Sequence, residues 1–397
     1  MEACNIVAII YCPAMKKEHF VFFVLNFCIE FVLDFLYVFP YVLESWIMRI
    51  MRDGILKKPA FFLFCIVVTI GLPCAYGEWI PAKYAGAFLE TGVGARSLGM
   101  GGAYVAIAED VTAIYWNPAG LVSMETLQIH AMHAERFAGV VNWDFIGAGI
   151  PLKDHLALGF GFFRLGVDGI PFTDLRNPSY APGDFYMDDE GVRRQNDVFA
   201  RKYVNDHQMA FVFSFSKRKS VRFSYGGNVK VIRESAEQFG AWGIGFDFGV
   251  LVHPYREMKF GVVLLDGTST MIAWNTGRKE LISPHLKMGL AYPFRIASFE
   301  ILPVLDVHVN FENRGHASQV ALGKTSFDFC GGLEVNRDRI ALRVGNDKGF
   351  VTAGAGLRIS TVGIDYGFSR HTDLGNTHRI SVTLFWNKNH FRKLLGS

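Results

Sequence analysis

Residues 242–250 read Trp-Gly-Ile-Gly-Phe-Asp-Phe-Gly-Val, a strict alternation of large apolar and tiny or acidic side chains. Successive side chains of a strand point to opposite faces, so this stretch makes one greasy face and one polar or bare one. The pattern recurs on both sides. Val221, Phe223, Tyr225, Val229 and Val231 alternate with Arg222, Ser224, Asn228 and Lys230. Val362, Ile364, Tyr366 and Phe368 alternate with Gly363, Asp365 and Ser369. Ile380, Val382, Leu384 and Trp386 alternate with Arg379, Ser381 and Thr383. A soluble sandwich turns the greasy face inward; a transmembrane barrel turns it to lipid and lines its lumen with the polar one.

The segments favour the barrel. Counting them from Leu127 gives about fourteen strands of about 9 to 12 residues, the length a tilted membrane crossing needs. Trp242, Tyr292 and Trp386 stand at strand ends, as an interfacial aromatic belt does. Short connections such as Pro151–His155, Lys217–Ser220, Asn336–Asp338 and Ser360-Thr361 alternate with long ones, notably Val167–Asn205, Asp266–Pro284 and Glu312–Thr325. Outer-membrane barrels have short turns on one side and longer loops on the other. The expected fold is all-β: a transmembrane antiparallel β-barrel over 126–386, followed by a basic tail over 387–397.

Composition agrees. The 397 residues are 50% hydrophobic and 19% charged, with 41 Gly and 36 Phe and a net charge of +3. No basic stripe stands out, so nucleic acid is not an expected partner. Five of six cysteines precede residue 75 and only Cys330 follows, so a processed chain forms no internal disulfide and shows no zinc spacing. Phe20–Phe39 has the length of a membrane helix but carries Glu30 and Asp34 near its middle. Arg52 to Lys58 is a basic n-region, Phe61–Leu72 an h-region, and Cys74-Ala75-Tyr76-Gly77 a cleavage site before Glu78. The expectation is a start at Met48 or Met51, a cleaved signal peptide over 48–77, export to the outer membrane, and an upstream apolar segment over 1–47, with a genuine membrane anchor as the alternative.

Between signal and strands lies Gly94–Gly120, GARSLGMGGAYVAIAEDVTAIYWNPAG. Its glycines permit sharp bends and close packing. Pro118 pushes Asn117 out of the helical region, so no helix runs through it. This stretch resembles the N-terminal hatch of the FadL outer-membrane transporter superfamily, in its PorV-like and spirochaetal FadL-like branches; the match lies in Gly-Ala-Arg, Gly-Met-Gly-Gly-Ala and Asn-Pro-Ala. The resemblance implies that 78–125 forms a hatch inside the lumen. It gives Gly94, Gly99, Gly101, Gly102, Asn117, Pro118, Ala119 and Gly120 a gating role. It also implies passage of a hydrophobic small molecule, long-chain fatty acids by default. PorV-like members instead imply a scaffold for a protein partner at the outer membrane; a plugged structural barrel is the third option.

Candidate ligand contacts sit in the long connections. Phe172, Tyr180, Phe185, Tyr186 and Phe199 are rings for an apolar chain, and Arg193 and Arg194 are guanidinium groups for a carboxylate. Met271, Ile272 and Trp274 are a partner wall. The alternative is a solvated loop packed on its own rings. Asp188-Asp189-Glu190 lacks the spaced ligands of a calcium loop, and His130 and His133 fall on opposite strand faces. His308 shares a polar face with Asp306 and Asn310, but no nucleophile accompanies them. No nucleophile elbow or phosphate loop occurs. Neither an enzyme nor a cofactor nor a metal is expected.

Overall fold

The computed structural model describes residues 86–386 apart from 137–138, 154, 256, 313, 315–317 and 372–374. The expected apolar leader, signal peptide and basic tail lie outside the described residues.

Fourteen antiparallel strands close into a barrel. They are β1 (Leu127–Arg136), β2 (Val141–Pro151), β3 (Leu156–Leu175), β4 (Val198–Ser220), β5 (Phe223–Ala236), β6 (Phe239–Val252), β7 (Lys259–Leu265 and Thr270–Trp274), β8 (Lys279–Ile282 and His285–Ala291), β9 (Phe299–Asn310), β10 (Thr325–Arg337), β11 (Ile340–Asp347), β12 (Phe350–Ile359), β13 (Val362–His371) and β14 (Gly375–Trp386). Each pairs with its sequence neighbours. β14 returns to β1 in a register running from Leu127↔Trp386 to Glu135↔His378. Closure removes the sheet edge, which hydrocarbon could not satisfy.

The apolar faces look outward. On β9, Leu305 is 64% exposed while its neighbour Asp306 is 1% exposed. Trp242, Ile244 and Phe248 are exposed on β6 while Asp247 is buried. Ser214, Asn228, Lys230, Glu334 and Arg343 are likewise buried on the inner face. An apolar surface this extensive is not stable against water; against acyl chains it is the ordinary exterior of a membrane barrel. No helix among the described residues is long and apolar enough to cross a membrane.

The three long connections are more ordered than the alternation suggested. β3 and β4 reach 20 and 23 residues and continue as a paired ribbon through Leu175↔Val198. The register shift at Val167/Ile170 absorbs Gly169, a second at Phe172/Thr173 leaves out Arg201 on β4, and Pro171 pairs with Tyr203 between them. Beyond the ribbon, Phe185–Met187 pairs with Arg193–Gln195. Residues 266–284 carry the outer pieces of β7 and β8, and Val320–Leu322 folds back on β10.

Candidate functional site

Residues 86–126 run inside the barrel in short helical turns: a 3-10 turn at Ala87–Thr91, α1 (Ala95–Gly99), α2 (Ala113–Trp116) and a 3-10 turn at Pro118–Ser123. Asn117 makes the last junction. Its backbone is extended, as a residue before proline must be, and its Oδ1 accepts the Ala119 N–H at 3.2 Å. Its Nδ2 donates to the carbonyls of Val105 at 3.1 Å and of Val250, on β6, at 3.0 Å. One side chain thus ties two turns of the segment to the wall.

The segment makes a lap of the lumen. The Ala95 N–H donates to Ser381 of β14 at 2.8 Å. Gly99 abuts Gly354 of β12, and Met100 and Gly101 abut Gly332 and Gly345 of β10 and β11. Tyr104 and Val105 donate their N–H groups to Asp306 of β9 at 2.7 and 2.9 Å. Asn117 and Pro118 rest on Gly249 of β6 and Gly226 of β5, and Ser216 of β4 donates to the Ala119 carbonyl at 2.9 Å. Met124 reaches Gly149 of β2. Where backbone meets backbone the wall residue is glycine, because a Cβ at Gly332 or Gly345 would stand 2.4 Å from Met100 O or Gly101 N.

An ion network adds to this. Arg96 donates through two nitrogens to Glu334, each at 2.8 Å; Glu334 also accepts from Arg343 at 2.5 Å, and Arg343 donates to Asp365 at 2.7 Å. The bidentate fork fixes the Arg96 geometry. Because the charges are buried, loss of one member leaves the others uncompensated.

Above the segment lies a cavity of about 310 Å³. Its lining mixes the apolar Leu89, Ile114, Tyr115, Trp116, Phe163 and Val212 with the cations Arg136, Lys287, Lys348 and Arg379, the imidazoles His285 and His308, and the carboxylates Glu90, Asp247, Asp266 and Asp347. Lys230, also in the lining, is neutralised by Asp247 and Asp266, each at 2.7 Å. The Lys287 ammonium lies 5.7 and 5.2 Å from the Tyr115 and Trp116 ring centroids, and no carboxylate among the described residues lies within ion-pair distance of it. Burial pushes the Tyr115 phenol up, and its hydroxyl receives the Gly92 N–H at 3.1 Å.

Glu90 and Arg314 close the cavity on the side of the long connections. Arg314, between β9 and β10, donates to Glu90 at 2.8 and 2.5 Å. Burial alone raises the Glu90 carboxyl; the Arg314 guanidinium outweighs it and holds the pKa down at about 2.

Gly94, Gly99, Gly101, Gly102, Asn117, Pro118, Ala119 and Gly120 all fall in the inner segment. The structure places the ligand-contact candidates elsewhere than the cavity. Phe172 and Phe199 lie on the β3–β4 ribbon under Lys202 and Arg176, with centroid distances of 5.1 and 5.9 Å. Arg193 lies 4.2 Å over Phe185, Tyr180 stacks on Tyr186, and Arg194 donates to Asp188 at 2.7 Å. Met271 and Trp274 sit on β7 rather than on a loop, Met271 outward and Ile272 fully buried inward. His130 is buried against Thr383 and His133 is exposed beside Asp144. Sequence reasoning missed Glu90, Arg96, Lys287, Arg314 and Arg379. The available signal was a cation on the polar face of an otherwise greasy strand, as at Lys287 and Arg379.

Among solved structures, the chain is similar to the Ralstonia pickettii toluene transporter TbuX at 14% identity and a TM-score of 0.48, over 75% of this chain and 99% of that one. It is similar to a Pseudomonas aeruginosa FadL homologue at 11% and 0.47, over 74% and 98%. It is also similar to the Pseudomonas putida toluene transporter TodX at 13% and 0.45, over 74% and 96%. The chain resembles FadL-family transporters. No family model and no curated protein matches the sequence.

Proposed function

We propose that this chain is an outer-membrane channel for hydrophobic small molecules, with the inner segment as its hatch. The observation that supports this best is the cavity lined by that segment and the barrel wall, with the Glu90–Arg314 pair in its lining and the Lys287 ammonium over the Tyr115 and Trp116 rings. A long-chain acid fits such a lining: its chain lies against Ile114, Trp116, Phe163 and Val212, and its carboxylate turns to the Lys287 ammonium. The rings and arginines of the β3–β4 ribbon, Phe172, Tyr180, Phe185, Tyr186, Phe199, Arg193 and Arg194, make the first contact outside. The ligand enters as the Glu90–Arg314 pair parts, and leaves when the hatch shifts. Diffusion down a gradient supplies the drive. Proteoliposome uptake of a fluorescent long-chain acid, with toluene as the neutral comparison, tests the proposal. Saturable uptake of the acid that changes in Asn117→Ala supports it; non-saturable uptake identical in both proteins counts against it.

The protruding ribbon favours a second role, as a scaffold for a protein partner. Residues 167–175 of β3 extend past the last β2 pair at Asn142↔Gly166, roughly 30 Å at the usual rise per residue. Its exposed Tyr203 and Phe172 suit a partner surface. A stoichiometric protein retained through detergent purification, together with no uptake, selects this role.

A further inference from the structure

The outward face changes character along one row of the sheet. Direct register neighbours run His133, Asp144, Arg164, Met209, Arg233 and Trp242 from β1 to β6. The next outward row toward the short turns runs Ala131, Ile146, Phe162, Phe211, Val231 and Ile244, continuing to Met271 on β7. A charged row directly above an apolar one marks the membrane interface on this side of the barrel.

Two arginines of that row differ. Arg164 lies between carboxylates, 3.3 Å from Asp144 and 3.6 Å from Asp168. Arg233 has no carboxylate within ion-pair distance among the described residues. It donates to the Ala241 carbonyl at 3.1 Å and lies 5.0 Å over the Trp242 ring. Gly240 and Ala273 beside it are too small to fill the surface, and a Cβ at Gly240 would stand 2.7 Å from the guanidinium. The result is a hollow of about 350 Å³ bounded by Arg233, Ser235, Gly240, Trp242 and Ala273, whose lining carboxylate, Glu237, is held by Lys202 rather than by Arg233. It opens at headgroup height, and the exposed Val231, Ile244 and Met271 lie below it.

We infer that this hollow seats the phosphate-bearing headgroup of a membrane lipid, its acyl chain on Val231, Ile244 and Met271. The charge is complementary, since Arg233 is a planar donor fork with no carboxylate of the described residues within ion-pair distance and a phosphate ester matches that fork. Trp242 supplies the flat apolar flank for the glycerol or sugar next to the phosphate. The adjacent apolar row explains why a lipid, not a soluble anion, is the occupant.

Native mass spectrometry of the full chain in nonionic detergent tests this, with phosphatidic acid, diacylglycerol of the same chains, and inorganic phosphate as probes. The expected result is one phosphatidic acid per chain, favoured at least about tenfold over diacylglycerol, the worth of one charge-assisted contact. Arg233→Gln and Ala273→Phe, the second filling the hollow without touching the charge, each abolish that preference, while Arg164→Gln keeps it. Heat-modifiable electrophoretic mobility shows that each variant is a folded barrel. Equal retention of the two lipids by the native chain overturns the inference. So does a preference that survives both variants. Displacement of phosphatidic acid by millimolar inorganic phosphate assigns the hollow to free anions and overturns the lipid.

Discussion

Gly99 and Gly354 meet closer than side chains usually pack: a Cβ on Gly99 would stand 3.0 Å from Gly354 Cα, and one on Gly354 would stand 3.1 Å from Gly99 Cα. The contact joins the inner segment to β12 through bare backbone. Gly354→Val forces them apart, at a cost of about 1–3 kcal/mol for overpacking. The expected outcome is a folded barrel whose 86–126 segment becomes protease-sensitive while its strands stay protected. Limited proteolysis with mass mapping checks it; an unchanged digestion pattern contradicts the close contact.

Asn117 satisfies three backbone groups at once, those of Val105, Val250 and Ala119. Asn117→Ala leaves buried polar groups unpaired, which costs about 2–4 kcal/mol. Urea unfolding in detergent should show a lower midpoint. Asn117→Asp keeps the Ala119 acceptor but cannot donate to either carbonyl, so it should be no better than alanine.

The Glu90–Arg314 pair gives a pH signature with a definite sign. The folded carboxyl titrates at about 2, below its free value of about 4.3. Its stabilising contribution is therefore present above about pH 4.3 and is lost as pH falls toward 2. Glu90→Gln should open the cavity at neutral pH and raise dye entry into proteoliposomes. The difference between native chain and variant should persist from pH 8 to pH 5 and close in strong acid. A difference that vanishes already at pH 5 contradicts the pairing.

Lys287 separates acids from neutral ligands. Lys287→Met keeps the bulk and removes the charge over Tyr115 and Trp116. Uptake of a long-chain acid should fall about tenfold, and toluene uptake should not fall. Equal losses for both would mean that the side chain only shapes the wall.

The barrel was legible because period two survives in nearly every strand: Trp242 to Val250 states both faces outright. The ribbon beyond Gly166 was not, because Gly169 and Pro171 break the alternation and bulges restore the pairing only in three dimensions. The inner segment was visible through Asn117-Pro118 and its glycines. Its wall partners were not, since Gly332, Gly345 and Gly354 read merely as small residues on a polar face. Arg96 and Glu334 lie 238 positions apart, a separation that no local pattern spans. For the same reason the sequence draws attention to the clustered rings and arginines near Phe185, while the cavity draws Glu90, Lys287, Arg314 and Arg379 from distant parts of the chain.

A hatch that must move to let ligand through is disabled by pinning it to the wall. Ala95→Cys with Ser381→Cys, in a background without other cysteines, puts one thiol in place of the Ser381 hydroxyl and the other on the residue whose backbone N–H that hydroxyl receives at 2.8 Å. Saturable uptake of a long-chain acid is then measured before and after oxidation in proteoliposomes. Oxidation should stop uptake and a reductant should restore it; uptake at the same rate in the oxidised, cross-linked barrel would show that the segment need not move.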